Sequence, residues 1–145
     1  MQVRDVMSRE IQATTPHTTL REAAELMKKL DVGPLPVCDE DRLVGMITDR
    51  DITVRAVAEG QDCFEGKVRD VMSMDVTSCG EEDDITVATR LMREKQVRRL
   101  PVLSRDKRLI GMVTLGDVAL NTGDTQASAR TLQAVSEPKT PSRDR

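Results

Sequence analysis

Two stretches of the chain share the pattern Gly-x-x-Thr-x-x-Asp: Gly45…Thr48…Asp51 and Gly111…Thr114…Asp117. In each, an apolar run ends at the threonine and a helical run follows it. Backbone N–H groups at a helix start and a threonine hydroxyl can donate to a phosphate. An ionised aspartate only accepts hydrogen bonds, so it can take both protons of a ribose diol. The glycine permits close backbone approach. The same spacing also describes a plain helix cap, with Thr at the N-cap and Asp three residues on. Spacing alone leaves both readings open.

The two stretches differ where charge matters. Arg98-Arg99 stands directly before Leu100-Pro101, whereas the matching place in the first stretch is Gly33-Pro34. A forked guanidinium suits phosphate, and it serves equally as a solvated surface pair or as one side of a salt bridge in a dimer. The first stretch instead carries Asp49-Arg50 inside its motif, against Leu115-Gly116 in the second. Arg50 can supply phosphate charge there. The two candidate sites are therefore expected to differ in affinity.

The motifs recur because the chain repeats itself. Val3-Arg-Asp-Val-Met-Ser8 returns letter for letter as Val68-Arg-Asp-Val-Met-Ser73, and Leu35-Pro36-Val37 as Leu100-Pro101-Val102. After a one-residue insertion, Gly45-Met46, Thr48 and Asp51 match Gly111-Met112, Thr114 and Asp117. The division that follows is repeat one over 1–60, a linker over 61–67, repeat two over 68–121 and a tail over 122–145. A unit of about 60 residues buries too little surface to be stable alone. The two copies are expected to share a face with pseudo-twofold symmetry.

Each copy reads as β-α-β-β-α, an α/β (α+β) fold. In copy one, Ile11 to Thr14 is a short strand candidate. Thr19-Leu-Arg-Glu22 is a capping-box pattern, and Leu20, Ala23, Ala24, Met27 and Leu30 follow at helical spacing. Leu35 to Cys38 and Arg42 to Thr48 read as a hairpin around Asp39-Glu-Asp41, and Asp49 to Ala58 as a helix. Copy two gives Val76 to Cys79, Ile85 to Lys95, Leu100 to Leu103, Lys107 to Thr114 and Gly116 to Leu120. Glu81 to Asp84 suits the positive end of a helix dipole, or a cation. In the tail, residues 127–135 can form a short helix with Leu132 and Val135 on one face, and 137–145 are expected to be disordered.

Composition excludes several function classes. The chain has 145 residues, 38% hydrophobic and 32% charged, as in a soluble globular protein. One Phe, no Trp and no Tyr leave no aromatic platforms for stacking bases, and a net charge of −3 leaves no basic footprint for nucleic acid or an anionic membrane. No apolar run approaches the roughly 18 residues of a membrane span, and the N-terminal residues lack a signal-peptide core, so a cytoplasmic location is expected. Cys38, Cys63 and Cys79 with the single His17 have no zinc-ligand spacing, so no metal is expected. A Cys/His nucleophile pair has no supporting motif, and no other constellation points to catalysis. The repeated methionines read as core filling. Cys38 and Cys79 read as buried thiols, with a redox role open only if exposed.

Taken together, Val-Arg-Asp-Val-Met, a helix, Leu-Pro-Val, then Leu-Val-Gly-Met-Ile-Thr-Asp-Arg-Asp-Ile resembles the CBS domain. Two tandem copies, from Val3 to about Leu120, resemble the stand-alone bacterial CBS pair, or Bateman module. The resemblance implies a regulatory sensor, not an enzyme, that binds an adenosine-containing ligand such as AMP, ADP or ATP between repeats. It implies a homodimer that signals to a protein partner. It also implies roles: Thr48 and Thr114 at phosphate, Asp51 and Asp117 at ribose, and Arg98 or Arg99 at phosphate charge. The adenine slot would then draw on Ile11 to Thr15 and Pro36 in copy one, and on Val76 to Gly80 and Pro101 in copy two, which also read as plain core strand. A ligand-independent scaffold or stress-response protein is the alternative, and a redox-responsive protein a third.

Overall fold

The opening segment of each repeat does not pack with the repeat it opens. The computed structural model describes residues 1–138, and within them the chain forms two units. One comprises Met1–Arg9, Thr77–Arg105 and the chain from Ile110; the other comprises Glu10–Val76 and Asp106–Leu109. Val3 and Val6, from repeat one, lie in the first unit's core with Ala88, Met92, Leu100, Val102, Val113 and Val118. Val68 and Val71, from repeat two, lie in the second unit's core with Leu20, Ala23, Met27, Val37 and Ile47. The identical Val-Arg-Asp-Val turns are thus exchanged, so the units cut across the boundaries 1–60 and 68–121. Burying two valines from elsewhere in the chain adds about 3–6 kcal/mol of apolar transfer to a unit too small to fill its own core.

The segment that follows each turn joins a sheet. Ser73 and Met46 exchange two backbone hydrogen bonds of 2.9 Å, and Ser8 and Met112 exchange bonds of 2.9 and 3.0 Å. These crossings explain the two motif glycines. A Cβ on Gly45 would lie 2.8 Å from the Ser73 carbonyl oxygen, and one on Gly111 would lie 2.8 Å from the Ser8 carbonyl oxygen. The glycines make room for protein backbone, where the sequence suggested room for a ligand.

In the second unit, helix α1 (Leu20–Leu30) starts at Thr19, whose hydroxyl accepts from the Glu22 N–H at 3.1 Å while Glu22 accepts in return from the Thr19 N–H. Leu20, Ala23 and Met27 form its buried stripe. Strands β1 (Leu35–Asp39) and β2 (Arg42–Ile47) pair antiparallel, with a register shift at Val37/Cys38. The strand expected over Ile11–Thr14 reduces to one parallel bridge between Thr14 and Val37; Gln12 and Ala13 beside it face solvent. Beyond β2, α2 (Asp49–Asp51) continues into a π-helical turn over Ile52–Val57, where a regular helix was expected. Helix α3 (Val68–Val71) carries the exchanged valines.

In the first unit, strands β3 (Cys79–Gly80), β4 (Arg99–Leu103) and β5 (Leu109–Thr114) form a sheet in that order, with β3 parallel to β4. Helix α4 (Ile85–Lys95) is capped by Asp84, and α5 (Leu115–Thr122) by Thr114. Both units belong to the α+β class expected. The tail adds α6 (Thr125–Ser136), capped by Asp124. It is longer than the helix read over 127–135, and the disorder expected for 137–145 falls outside the described residues from 139 on. Thr131 and Val135 face the core, while Leu132 stays half exposed. Among the described residues, no helix is long and apolar enough to cross a membrane.

Candidate functional site

Thr114 and Asp117 are locked together at the start of α5. The Asp117 N–H donates to the Thr114 hydroxyl at 3.0 Å, and the Thr114 N–H donates to Asp117 Oδ2 at 2.9 Å. Thr48 and Asp51 repeat this at the start of α2, at 3.0 and 2.9 Å. The helix cap is therefore present in both copies. Each cap uses Oδ2 of its aspartate. In the first repeat the other oxygen has a cation near it, since Arg55 Nε lies 3.9 Å from Asp51 Oδ1.

A cavity of about 500 Å3 opens beside the second cap. Arg98 and Arg99 form one wall, Thr114 and the first turn of α5 another, and Ser128, Ala129 and Leu132 of α6 a third. Its size lies within the roughly 300–1,000 Å3 of small-molecule sites. Among the described residues, no carboxylate lines it and none pairs with either arginine. Two guanidinium groups with no carboxylate partner among the described residues, a helix start and a threonine hydroxyl make this a seat for an anion attached to an apolar body. The Ser128 hydroxyl is buried here, and among the described residues it has no hydrogen-bond partner.

The first repeat offers a different surface at the matched place. Asp49 Oδ1 lies 2.9 Å from the point that a Cβ on Gly33 would occupy. A carboxylate thus covers the position where the second repeat holds Arg98. Arg50 is exposed on the first turn of α2, and its N–H donates to Asp49 Oδ1 at 3.0 Å.

A family model described as "CBS domain" matches residues 3–57 and again 68–121. The chain belongs to the CBS domain family. It is similar to the CBS domain-containing protein YhcV of Bacillus subtilis, at 37% identity over 134 residues, 92% of this chain and 94% of that one. Among solved structures it is similar to Hypoxic Response Protein I with two coordinated zinc ions, at 37% identity and a TM-score of 0.75, covering 83% of this chain and 98% of that one. It is also similar to CBSX2 in complex with AMP, at 30% identity and a TM-score of 0.73, covering 86% and 98%.

Of the residues singled out in the two CBS repeats, the structure brings Arg98, Arg99 and Thr114 onto one cavity. Asp117 adjoins it through the cap. Thr15 lies elsewhere, with its hydroxyl 2.8 Å from that of Thr18. Pro36 and Pro101 are buried in β1 and β4, and the Gly80 N–H donates to Asp83 at 2.8 Å. The acidic run ahead of α4 is occupied internally: Asp84 caps the helix, and Glu82 binds Arg105 through two bonds of 2.6 and 2.8 Å. Arg105 holds the Glu82 carboxyl below its usual range, and the Thr86 hydroxyl, followed by the Thr86 N–H, does the same for Asp84. Among the described residues, no group of three or more His, Cys, Asp or Glu is placed to hold a metal ion. The third wall, from α6, was not read as part of a site; the only signal was Leu132 on the tail's apolar face.

Proposed function

We propose that this CBS pair is a regulatory module that binds an adenosine-containing nucleotide, AMP, ADP or ATP, in the cavity of its second repeat, and passes the bound state to a protein partner. The observation that carries the reading is the convergence of Arg98, Arg99 and Thr114 on one cavity free of carboxylates. The similar CBSX2 with AMP bound supports the ligand class. In this reading the phosphate sits on the guanidinium pair and the α5 start, and the ribose diol reaches Asp117. The first repeat, with Asp49 over Gly33, is the weaker seat. The protein works as a cytoplasmic homodimer and catalyses no reaction.

The alternative of a ligand-independent scaffold rests on surfaces rather than the cavity. The redox alternative loses support from the thiols. Burial pushes Cys79 up to about 12, with the Asp83 charge adding to it, and burial likewise raises Cys38. A redox switch needs an accessible thiolate.

A chain without Trp or Tyr absorbs little at 280 nm, so bound adenine dominates its spectrum. The purified protein is expected to show a 260 nm band released on heating, or to give heat on titration with AMP, ADP or ATP. A clean spectrum with no heat for any of the three would favour the scaffold.

A further inference from the structure

The tail helix α6 packs on α4 and α5 through polar as well as apolar contacts. Gln96 Nε2 donates to the Ala134 and Glu137 carbonyls at 3.2 and 3.1 Å, and Arg93 donates to the Thr131 hydroxyl at 3.3 Å. Of its twelve residues only Thr131 is fully buried, and Val135 supplies the apolar contact with the core. Its cavity side is open: among the described residues the buried Ser128 hydroxyl has no partner, and Leu132 is 48% exposed. An orphaned hydroxyl buried in the cavity wall and an open leucine, both on residues that line the cavity with Arg98 and Thr114, are what a bound molecule would complete once the wall adjusts to it. Arg98 links the two parts, since it lines the cavity and its Nη2 also reaches the Ser136 hydroxyl of α6 at 3.5 Å.

We propose that α6 is a ligand-responsive wall: a nucleotide seated on Arg98, Arg99 and Thr114 also touches Ser128 and Leu132, and so fastens the tail helix onto the first unit. This inference rests on the nucleotide reading above. Linkage makes the effect reciprocal, so docked α6 raises nucleotide affinity by the same factor by which the nucleotide favours docking. A partner that recognises α6, docked or released, would then read the occupancy of the cavity.

The test uses the full chain with AMP and ATP as probes. Hydrogen exchange over residues 125–136 is expected to slow when either nucleotide is added. Ser128→Ala and Leu132→Glu are each expected to weaken binding by about tenfold, the first by removing a hydrogen bond to a charged group and the second by adding a like charge beside phosphate. Gln133→Glu places the same charge on the exposed face of α6 and is expected to bind as the native chain does. Circular dichroism separates loss of binding from loss of fold, and Ser128→Ala decides the case if Leu132→Glu unfolds. If the native chain binds AMP or ATP but exchange in α6 and the affinity of Ser128→Ala are unchanged, the inference is overturned and the nucleotide reading stands. If the native chain binds neither, both fall together.

Discussion

The Asp49 carboxylate lies against Gly33, with Oδ1 2.9 Å from where a Cβ would be. The Asp49 N–H also donates to the Gly33 carbonyl at 3.1 Å. The second repeat makes the same backbone bond between Leu115 and Arg98, at 2.8 Å. One backbone frame thus presents a carboxylate in one copy and a guanidinium in the other. Unit charges about 4 Å apart interact by roughly 1 kcal/mol in water and about 4 kcal/mol near a protein surface. A phosphate would be repelled by that order at the first site and attracted by it at the second.

Arg98→Ala and Arg99→Ala are therefore expected to weaken ATP binding by about tenfold each, since a hydrogen bond to a charged group contributes about 1.5–3 kcal/mol. Arg50→Ala is expected to change it by less than about threefold, on the same scale. Isothermal titration of the three variants ranks them, and the reverse ranking would move the main site to the first repeat.

Gly111 and Gly45 answer to packing. Their missing Cβ atoms would meet the Ser8 and Ser73 carbonyls at 2.8 Å, and those atoms are held in two-bond bridges that resist displacement. Gly111→Ala and Gly45→Ala are each expected to cost about 1–3 kcal/mol, seen as a melting point lower by several degrees. Gly116→Ala is the control. Its nearest neighbour is the Thr114 hydroxyl at 3.6 Å, and alanine suits an α-helix better than glycine by about 1 kcal/mol. Equal melting points for Gly111→Ala and Gly116→Ala would sink the packing account.

The letter-for-letter repeat made the two-copy organisation legible, and Thr19 with Glu22 announced the start of α1. The exchange of Val3 and Val68 was not legible. Identical segments satisfy either core equally, so periodicity cannot say which one they enter. The caps at Thr48 and Thr114 were legible as chemistry, but their glycines were credited to a ligand because the crossing strand lies far away in sequence. The α6 wall was hidden for another reason. Leu132 and Val135 made the helix itself legible, but nothing local in the tail says which part of the chain it covers. The Asp49–Gly33 contact was hidden as well, because the missing side chain at 33 and the acid at 49 lie sixteen residues apart and only the fold brings them together.

The cysteines make a chemical prediction. The folded-state pKa of Cys79 is raised to about 12, first by burial and then by Asp83. A raised value means that folding favours the thiol. That stability is fully present below the unfolded-state value of 9.0 and is lost as pH rises from there toward about 12. The melting point is expected to fall across that window, less steeply in Cys79→Ala. At neutral pH a thiol reagent is expected to modify half-buried Cys63 first and reach Cys38 and Cys79 only on unfolding. Rapid modification of Cys79 in the native state would contradict its burial.

Val54 and Leu120 occupy matched positions of the two repeats, and both are exposed, at 44% and 87%. An apolar side chain exposed at the same place in each unit fits a face of that unit covered by a second copy of the chain. Light scattering is expected to give twice the chain mass. Val54→Glu with Leu120→Glu is expected to halve it without lowering helix content. A native chain that is monomeric at all micromolar concentrations would remove the homodimer from the reading.

Asp117 has two tasks that can be separated. Its Oδ2 accepts from the Thr114 N–H at 2.9 Å, and a carboxylate has lone pairs to spare for a diol on its other oxygen. Asp117→Ala removes both the cap and the diol acceptor. The cap should cost about 0.5–2 kcal/mol of stability without any ligand. The diol should appear as discrimination: the native chain is expected to bind ATP about tenfold more tightly than its 2′-deoxy analogue, because a hydrogen bond to a charged group is lost. In Asp117→Ala that ratio is expected to fall to about one, since the acceptor that reads the hydroxyl is gone. Asp51→Ala should leave the ratio near its native value, because the first repeat has Arg55 beside Asp51 Oδ1 and Asp49 over Gly33. Asp117→Asn keeps a capping side chain and changes what the diol meets, so a near-native melting point with a collapsed ratio would isolate the ligand role. If the native chain binds both nucleotides equally, Asp117 is a helix cap and the ribose is held elsewhere.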